Sequence, residues 1–307
     1  SMTYGRVLLE LCRFDRTRAF VLESTFTGKE FYVEERHTPI ANRSQIRHAT
    51  VRRSKRLPES LEQQVRDQAK AIQRLFAAEN KNVTQPDGAD LPRFAEPERP
   101  TLLVVGQVVN DYSLIEQRHG ALSSIAFYEA LIARVLRDTN YNVVFKGHPW
   151  EERKVHLQRP FTRERLHAFA ATLNPAHAAR FAIRDHDNLI ALGHASDRVA
   201  LLSSQAGIEL AFYEGLRPST FGTPYYGEAG FTDTFDPHDL DPFIDACVSD
   251  PRAELDLHGY EALLDFLQRF LQHHAVTERN SGLGQIARIV EASAEIGAPP
   301  PRGGPPK

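Results

Sequence analysis

Residues 199–232 read V-A-L-L-S-S-Q-A-G-I-E-L-A-F-Y-E-G-L-R-P-S-T-F-G-T-P-Y-Y-G-E-A-G-F-T. Val199–Leu202 is an apolar run of strand length, and Ser203-Ser204 breaks it with two hydroxyls. After Gln205-Ala206-Gly207, the residues Ile208, Phe212 and Leu216 recur at helical spacing, which predicts a helix that Pro218 ends. Ser219–Phe221 reads as a second short strand before a glycine-punctuated loop. Strand, hydroxyl turn, helix and strand in succession is the grammar of a parallel α/β sheet. In such sheets a ligand sits beyond the carboxyl ends of the strands, where helix N-termini aim free N–H groups. Ser203 and Ser204 are expected there, two hydroxyls beside unpaired backbone donors, a setting suited to a phosphate.

Upstream, the same alternation continues. Thr101–Val105 is a strand-length apolar run followed by G-Q-V-V-N-D-Y-S, which puts Asp111 and Ser113 in the loop at its carboxyl end. Ile125, Tyr128, Leu131 and Val135 give 123–136 a helical period. Tyr141–Phe145 is the next strand and runs into Lys146-Gly147-His148-Pro149-Trp150. This series predicts a doubly wound domain over residues 99–297. Asp111, His148 and Ser203-Ser204 all fall at carboxyl ends of strands, where such sheets converge their ligand-binding residues. A Lys and a His before a backbone-fixing proline present two nitrogen donors able to neutralise a leaving phosphate. Taken singly, each is equally readable as a surface polar residue or, for Asp111, a loop carboxylate. Together they describe a group-transfer site with an acid able to act as nucleophile or base.

The first hundred residues say less. Val7–Cys12 reads as the end of a helix and Arg18–Leu22 as a strand that runs into Glu23-Ser24, an acid and a hydroxyl at a strand's carboxyl end. Phe31–Val33 is a strand or a loop. Residues 43–56 hold six Arg/Lys, Arg52 and Arg53 among them, and no acid: a solvated basic loop, or a patch for an anionic acceptor or lipid headgroup. A long amphipathic helix is predicted from Pro58 to about Asn80, with Leu61, Val65, Ala69 and Ile72 on one side. The proline-rich residues 81–100 make the domain boundary, so residues 1–98 form an N-terminal unit that is short or truncated. Ser1-Met2 reads as a tag remnant and the proline- and glycine-rich 298–307 as a linker, which suggests a module excised from a larger protein.

Composition narrows the function. With 307 residues, 41% of them hydrophobic and 25% charged, the chain supports a sizeable core. A net charge of −3 gives no global case for a nucleic-acid partner. Cys12 and Cys247 lack disulfide-framework or metal-site spacing and suit a reducing compartment. No apolar run approaches the roughly 18–20 residues of a membrane span. There is no G-x-G-x-x-G, Walker loop, H-E-x-x-H or C-x-x-C, which speaks against NAD, ATP and zinc enzymes. Asp185-His186-Asp187 and Asp239-Leu240-Asp241 are short D-x-D strings that arise easily by chance, and the adjacent His273-His274 would point to different helix faces, so no metal is expected.

The run from Ser203 to Thr232 resembles the capsule-polysaccharide β-Kdo transferases, which carry T-S-x-x-G-F-E-A-L followed by G-x-P-F-Y-x-G-W-G-L-T. K-G-H-P is similar to their K-P-H-P and G-Q-V-V-N-D-Y-S to their Q-V-x-x-D-x-S, while V-L-E-S-T-F-T-G-K is similar to the strand-end glutamate of their N-terminal domain. Three motifs in order cover residues 101–232; residues 1–98 rest on Glu23. Gly147 departs from the family's proline, Tyr225 from a phenylalanine and Ala229 from a tryptophan.

The resemblance implies an α/β, GT-B-like fold of two Rossmann-like domains, cytoplasmic, at the inner face of the membrane. It implies a retaining glycosyltransferase that moves Kdo from CMP-β-Kdo to a saccharide or glycolipid acceptor of capsule or lipopolysaccharide O-antigen, with no cofactor. Further transferase domains in the parent protein would be partners. In that reading Asp111 is the nucleophile, Glu23 the base for the acceptor, and His148 with Lys146 the stabiliser of departing CMP. Ser203, Ser204, Gly207, Glu209 and Tyr225 belong to the donor side, Arg52 and Arg53 to the acceptor side. Glu209 either meets the nucleotide ribose or packs as a helix acid. Two other classes stay open: a CMP-sialate or CDP-glycerol type transferase, and a non-catalytic nucleotide-sugar-fold module.

Overall fold

The computed structural model describes residues 2–24, 30–35, 86, 88, 90–109, 111, 114, 123–149, 151, 159–270, 275–277, 284, 286 and 287. Helix α1 (Met2–Phe14) precedes strands β1 (Phe20–Ser24) and β2 (Glu30–Glu35). These two strands pair antiparallel, Glu23 opposite Tyr32. Five residues separate them, too few for the crossover that a parallel pair needs. Strand β9 (Ala275–Thr277) pairs antiparallel with β2, Phe31 opposite Val276, and completes a three-stranded sheet. Among the described residues, the N-terminal sheet therefore differs from a doubly wound parallel one and takes a strand from the C-terminal end. The basic cluster with Arg52 and Arg53, the amphipathic segment 58–80, Ser113 and His273-His274 lie outside the described residues.

The main sheet contains β3 (Thr101–Val105), β4 (Asn142–Lys146), β5 (Phe181–Arg184), β6 (Arg198–Leu201), β7 (Pro218–Thr220) and β8 (Asp233–Thr234). Its order is β5-β4-β3-β6-β7-β8, and every pairing is parallel. The chain runs outward from β3 to one edge, returns to β6 and runs to the other. This is the Rossmann-type order, with its switch point between β3 and β6. The strands expected at 101–105, 141–145, 199–202 and 219–221 are present within one residue. β5 and β8 are additional: β5 is four half-buried residues with no alternation, and β8 is two residues long.

Side-chain alternation builds the two layers. Leu102, Val104, Val143, Phe145 and Ala200 point to one face, where helix α2 (Ser124–Asp138) buries Phe127, Tyr128, Leu131, Ile132 and Val135. Ser123 caps α2 by accepting the Ala126 N–H at 3.3 Å. Helices α3 (Phe161–Ala170) and α7 (Asp241–Ser249) complete that face through Leu166, Phe243 and Cys247. Leu103, Val105, Val199 and Leu201 point the other way. There α5 (Leu189–His194), α6 (Ala206–Glu214) and α8 (Leu257–Arg269) close the second core, while the single-turn α4 (Pro175–Ala178) leads into β5. Each large apolar side chain so enclosed contributes about 1.5–3 kcal/mol relative to exposure.

Helix α6 ends at Glu214, and Pro218 begins β7, where its missing N–H lies at the first strand position. At the amino edge of the sheet, away from the switch point, the buried Arg198 guanidinium donates to Asp250 O at 2.6 Å and Ala246 O at 3.2 Å. It serves packing, not the site.

Candidate active site

The loops at the carboxyl edge are fastened to one another by backbone donors. Gly106 N–H donates to Lys146 O at 2.8 Å, joining the ends of β3 and β4, and Gly147 N–H donates to Arg184 O at 2.9 Å, joining β4 to β5. Across the switch point, Ser203 N–H donates to Gln107 Oε1 at 3.1 Å. The Gln107 N–H in turn donates to the hydroxyl of Tyr128, a fully buried residue of α2, at 2.9 Å. The sequence-predicted residues Asp111, His148, Ser203 and Ser204 therefore sit on three loops that are physically tied. Asp111 is half-buried in a turn closed by its N–H to Val108 O at 2.8 Å.

Around His148 the structure forms a cleft lined by Gly147, His148, Glu151, Arg163, Asp185 and His186, among others. Gly147 carries a departure from the family motif, and the packing explains it. A Cβ there would force the Asp185 carboxylate to turn aside, and a proline would also lose the N–H that bonds Arg184. Lys146 is buried, and its ammonium donates to Asp185 O at 2.7 Å and Gly147 O at 3.1 Å. Burial pulls its pKa below the ordinary 10.5, against the opposing pull of Asp185 and Asp187. The lysine thus clasps the β4 and β5 loops by their carbonyls, a geometry the motif alone does not reveal.

The turn before α6 is also more self-contained than its sequence predicts. Ser203 is buried and Ser204 half-buried. Ser204 Oγ accepts the Ala206 N–H at 3.3 Å, and Ile208 N–H donates to Gln205 O at 3.0 Å. Tyr226 donates its hydroxyl proton to Ser204 O at 2.5 Å and receives the Gly207 N–H. Several donors at the helix start are therefore engaged within the protein, which corrects the expectation that they stand unpaired. Gly207 is required by this contact, because a Cβ would strike the Tyr226 hydroxyl. Tyr225 is buried, its ring beside Phe266 and Phe270 and its hydroxyl 3.5 Å from Gln205 Oε1. Ala229, half-buried, packs against the same core.

Glu209 is half-buried in the first turn of α6, and desolvation pushes its carboxyl pKa up to about 7. Glu23 is the penultimate residue of β1 in the N-terminal sheet. Both D-x-D strings are engaged structurally. Asp185 pairs with Arg163 at 3.4 Å, Asp187 accepts the Asp90 N–H at 2.9 Å, Asp239 accepts the Asp241 N–H at 3.2 Å, and Asp241 pairs with Arg134 at 2.5 Å. Among the described residues, no group of three or more His, Cys, Asp or Glu could hold a metal ion, and no helix is long and apolar enough to cross a membrane.

The sequence patterns assign no site role to Gln107, Tyr128, Glu151 or Tyr226. Gln107 and Tyr226 lie inside quoted motifs, and Glu151 follows K-G-H-P-W directly, so proximity was a signal. Their importance comes from buried partners, which no local pattern records.

No protein of curated function matches this chain by sequence. In fold it is similar to the β-Kdo 2,4 transferase of Thermosulfurimonas dismutans KpsC, with a TM-score of 0.55 at 17% identity over 86% of this chain and 74% of that one. The β-Kdo 2,7 transferase of the same protein aligns with a TM-score of 0.51 at 15% identity over 92% of this chain and 82% of that one. These likenesses agree with the α/β, GT-B-like architecture expected from the sequence. The family model described as "Capsule polysaccharide biosynthesis protein" matches residues 28–270, most of the chain, and this chain belongs to that family.

Proposed function

We propose that this chain is a glycosyltransferase that moves Kdo from CMP-β-Kdo to a saccharide or glycolipid acceptor with retention of configuration. The observation that supports it most is the Gln107–Ser203 bond, which ties the loop of Asp111 to the serine turn at the switch point of the sheet. In this reading a carboxylate oxygen of Asp111 attacks the anomeric carbon. The bond from that carbon to the CMP phosphate oxygen breaks, and its electron pair leaves with CMP. The His148 imidazole and the Ser204 hydroxyl donate to the departing phosphate. In the second step the acceptor hydroxyl loses its proton to a base, for which Glu23 is the candidate, and attacks the same carbon as Asp111 leaves with its pair. Two inversions give net retention. Glu209 faces the ribose, and Lys146 holds the loops in place by their carbonyls. Capsule or O-antigen synthesis at the inner face of the membrane is the matching setting.

The test is thermal stabilisation by CMP against UDP, GDP and NAD, followed by turnover of CMP-Kdo with the product anomer assigned by NMR. Stabilisation by CMP and a β-linked product are expected. Preference for UDP, or an inverted product, sinks this reading.

A further inference from the structure

We propose that Glu151 is a positioning residue of the transfer site: its buried carboxylate ties the loop that carries Asp111 to the loop that carries His148 and fixes their separation. The roles of Asp111 and His148 rest on the function proposed above; the tie itself is independent of it.

Glu151 is 3% exposed, a rare setting for a carboxylate. Its backbone N–H donates to His148 O at 3.1 Å, closing the turn that presents the histidine. Its side chain bonds two other segments. Oε1 accepts the Thr162 hydroxyl at 2.7 Å, and Oε2 accepts the Thr162 N–H at 3.3 Å. Thr162 lies in the first turn of α3, whose own cap residue, Pro160, makes no side-chain capping bond. Glu151 therefore caps that helix from another segment, where a negative charge is favoured by the helix dipole. The Val109 N–H also donates to the same carboxylate. Val109 lies two residues before Asp111, in the loop already held by Gln107.

One side chain thus joins the Asp111 loop, the His148 turn and the start of α3. The charged and titratable groups around it are Asp185, Tyr128, Arg163, His148 and His186. Burial and Asp185 push the Glu151 carboxyl pKa up, and the Thr162 and Val109 donors pull it back. Removing the carboxylate orphans three donors at once and lets the Asp111 loop move relative to His148. Misplacement on the order of 1 Å is enough to cost about 10²-fold in rate.

Two measurements on the full chain test this. In hydrogen exchange without substrate, Glu151→Ala is expected to speed exchange of the Val109 amide by about tenfold or more, with the amides of β3 and β4 unchanged. If the alanine variant does not fold, Glu151→Gln, which keeps the volume but loses part of the bonding, is read for about threefold faster exchange. In steady-state kinetics with CMP-Kdo, Glu151→Gln is expected to lower kcat by about tenfold or more while the donor KM stays within about threefold. Val109 exchange unchanged from wild type overturns the tie. Faster exchange with kcat intact overturns the positioning role. A wild-type chain that does not turn over CMP-Kdo sinks the proposed function instead, and the exchange result still decides the tie.

Discussion

Gln107 Oε1 accepts the backbone N–H of Ser203 at 3.1 Å beyond the β3–β6 pair, where the sheet order turns back. Both residues are buried, and the bond joins positions 96 apart in the chain. Replacing Gln107 with Leu keeps the bulk and leaves the Ser203 N–H without this acceptor. The expected cost is about 1–3 kcal/mol in urea unfolding, together with weaker stabilisation by CMP. A variant as stable as wild type would remove this bond from the account of the site.

Asp111→Asn and His148→Ala separate the two chemical roles proposed for these residues. The asparagine variant is expected to lose transfer by about 10³-fold or more while still binding CMP, since the amide cannot supply the nucleophilic carboxylate. The alanine variant is expected to lose on the order of 10²-fold in kcat through the departing phosphate. CMP-release kinetics and CMP titrations, run side by side, check both. Substantial activity in Asp111→Asn excludes it as the nucleophile.

Gly147→Pro restores the family's K-P-H-P and is expected to destabilise this protein by about 2 kcal/mol or more. The ring would collide with Asp185, and the N–H that bonds Arg184 O would be gone. Adding Asp185→Gly relieves the collision but not the lost bond. The double variant should therefore recover part of the stability, giving a non-additive cycle measurable by denaturant midpoint. Full additivity would show that the two residues do not compete for space.

Glu209 makes stability depend on pH. An unfolded glutamate titrates near 4.5, while this one holds its proton to about 7. Between those values the folded chain retains a proton that the unfolded chain has lost, so stability falls as pH rises through that window. Glu209→Gln removes the dependence. At pH 8 the variant is expected to be more stable than wild type by up to about 3 kcal/mol, and at pH 4 roughly equal. Melting curves at the two pH values decide it; an equal gap at both excludes the desolvated acid as the cause.

The legibility of the fold followed from local periodicity. Val199–Leu202, Thr101–Val105 and the spacing of Ile125, Tyr128, Leu131 and Val135 declare strand and helix because alternation and 3.6-residue recurrence are properties of neighbouring residues. The same logic placed Asp111, His148 and Ser203-Ser204 at carboxyl ends of strands. It could not show β5, whose four residues are half-buried and lack alternation. Nor could it show that β1 and β2 share a sheet with β9, a partner more than two hundred residues away.

What the sequence by itself determined, then, is an α/β chain with its polar motifs on one edge of a parallel sheet. The tertiary structure decided how those motifs are held. It gave Lys146 two carbonyls to clasp, filled much of the start of α6 with Tyr226 and Ser204, and buried Glu151 between Val109 and Thr162. The physical reason is the same in each case. A buried polar group must find a partner, and that partner comes from whichever distant segment the packing brings within about 3 Å.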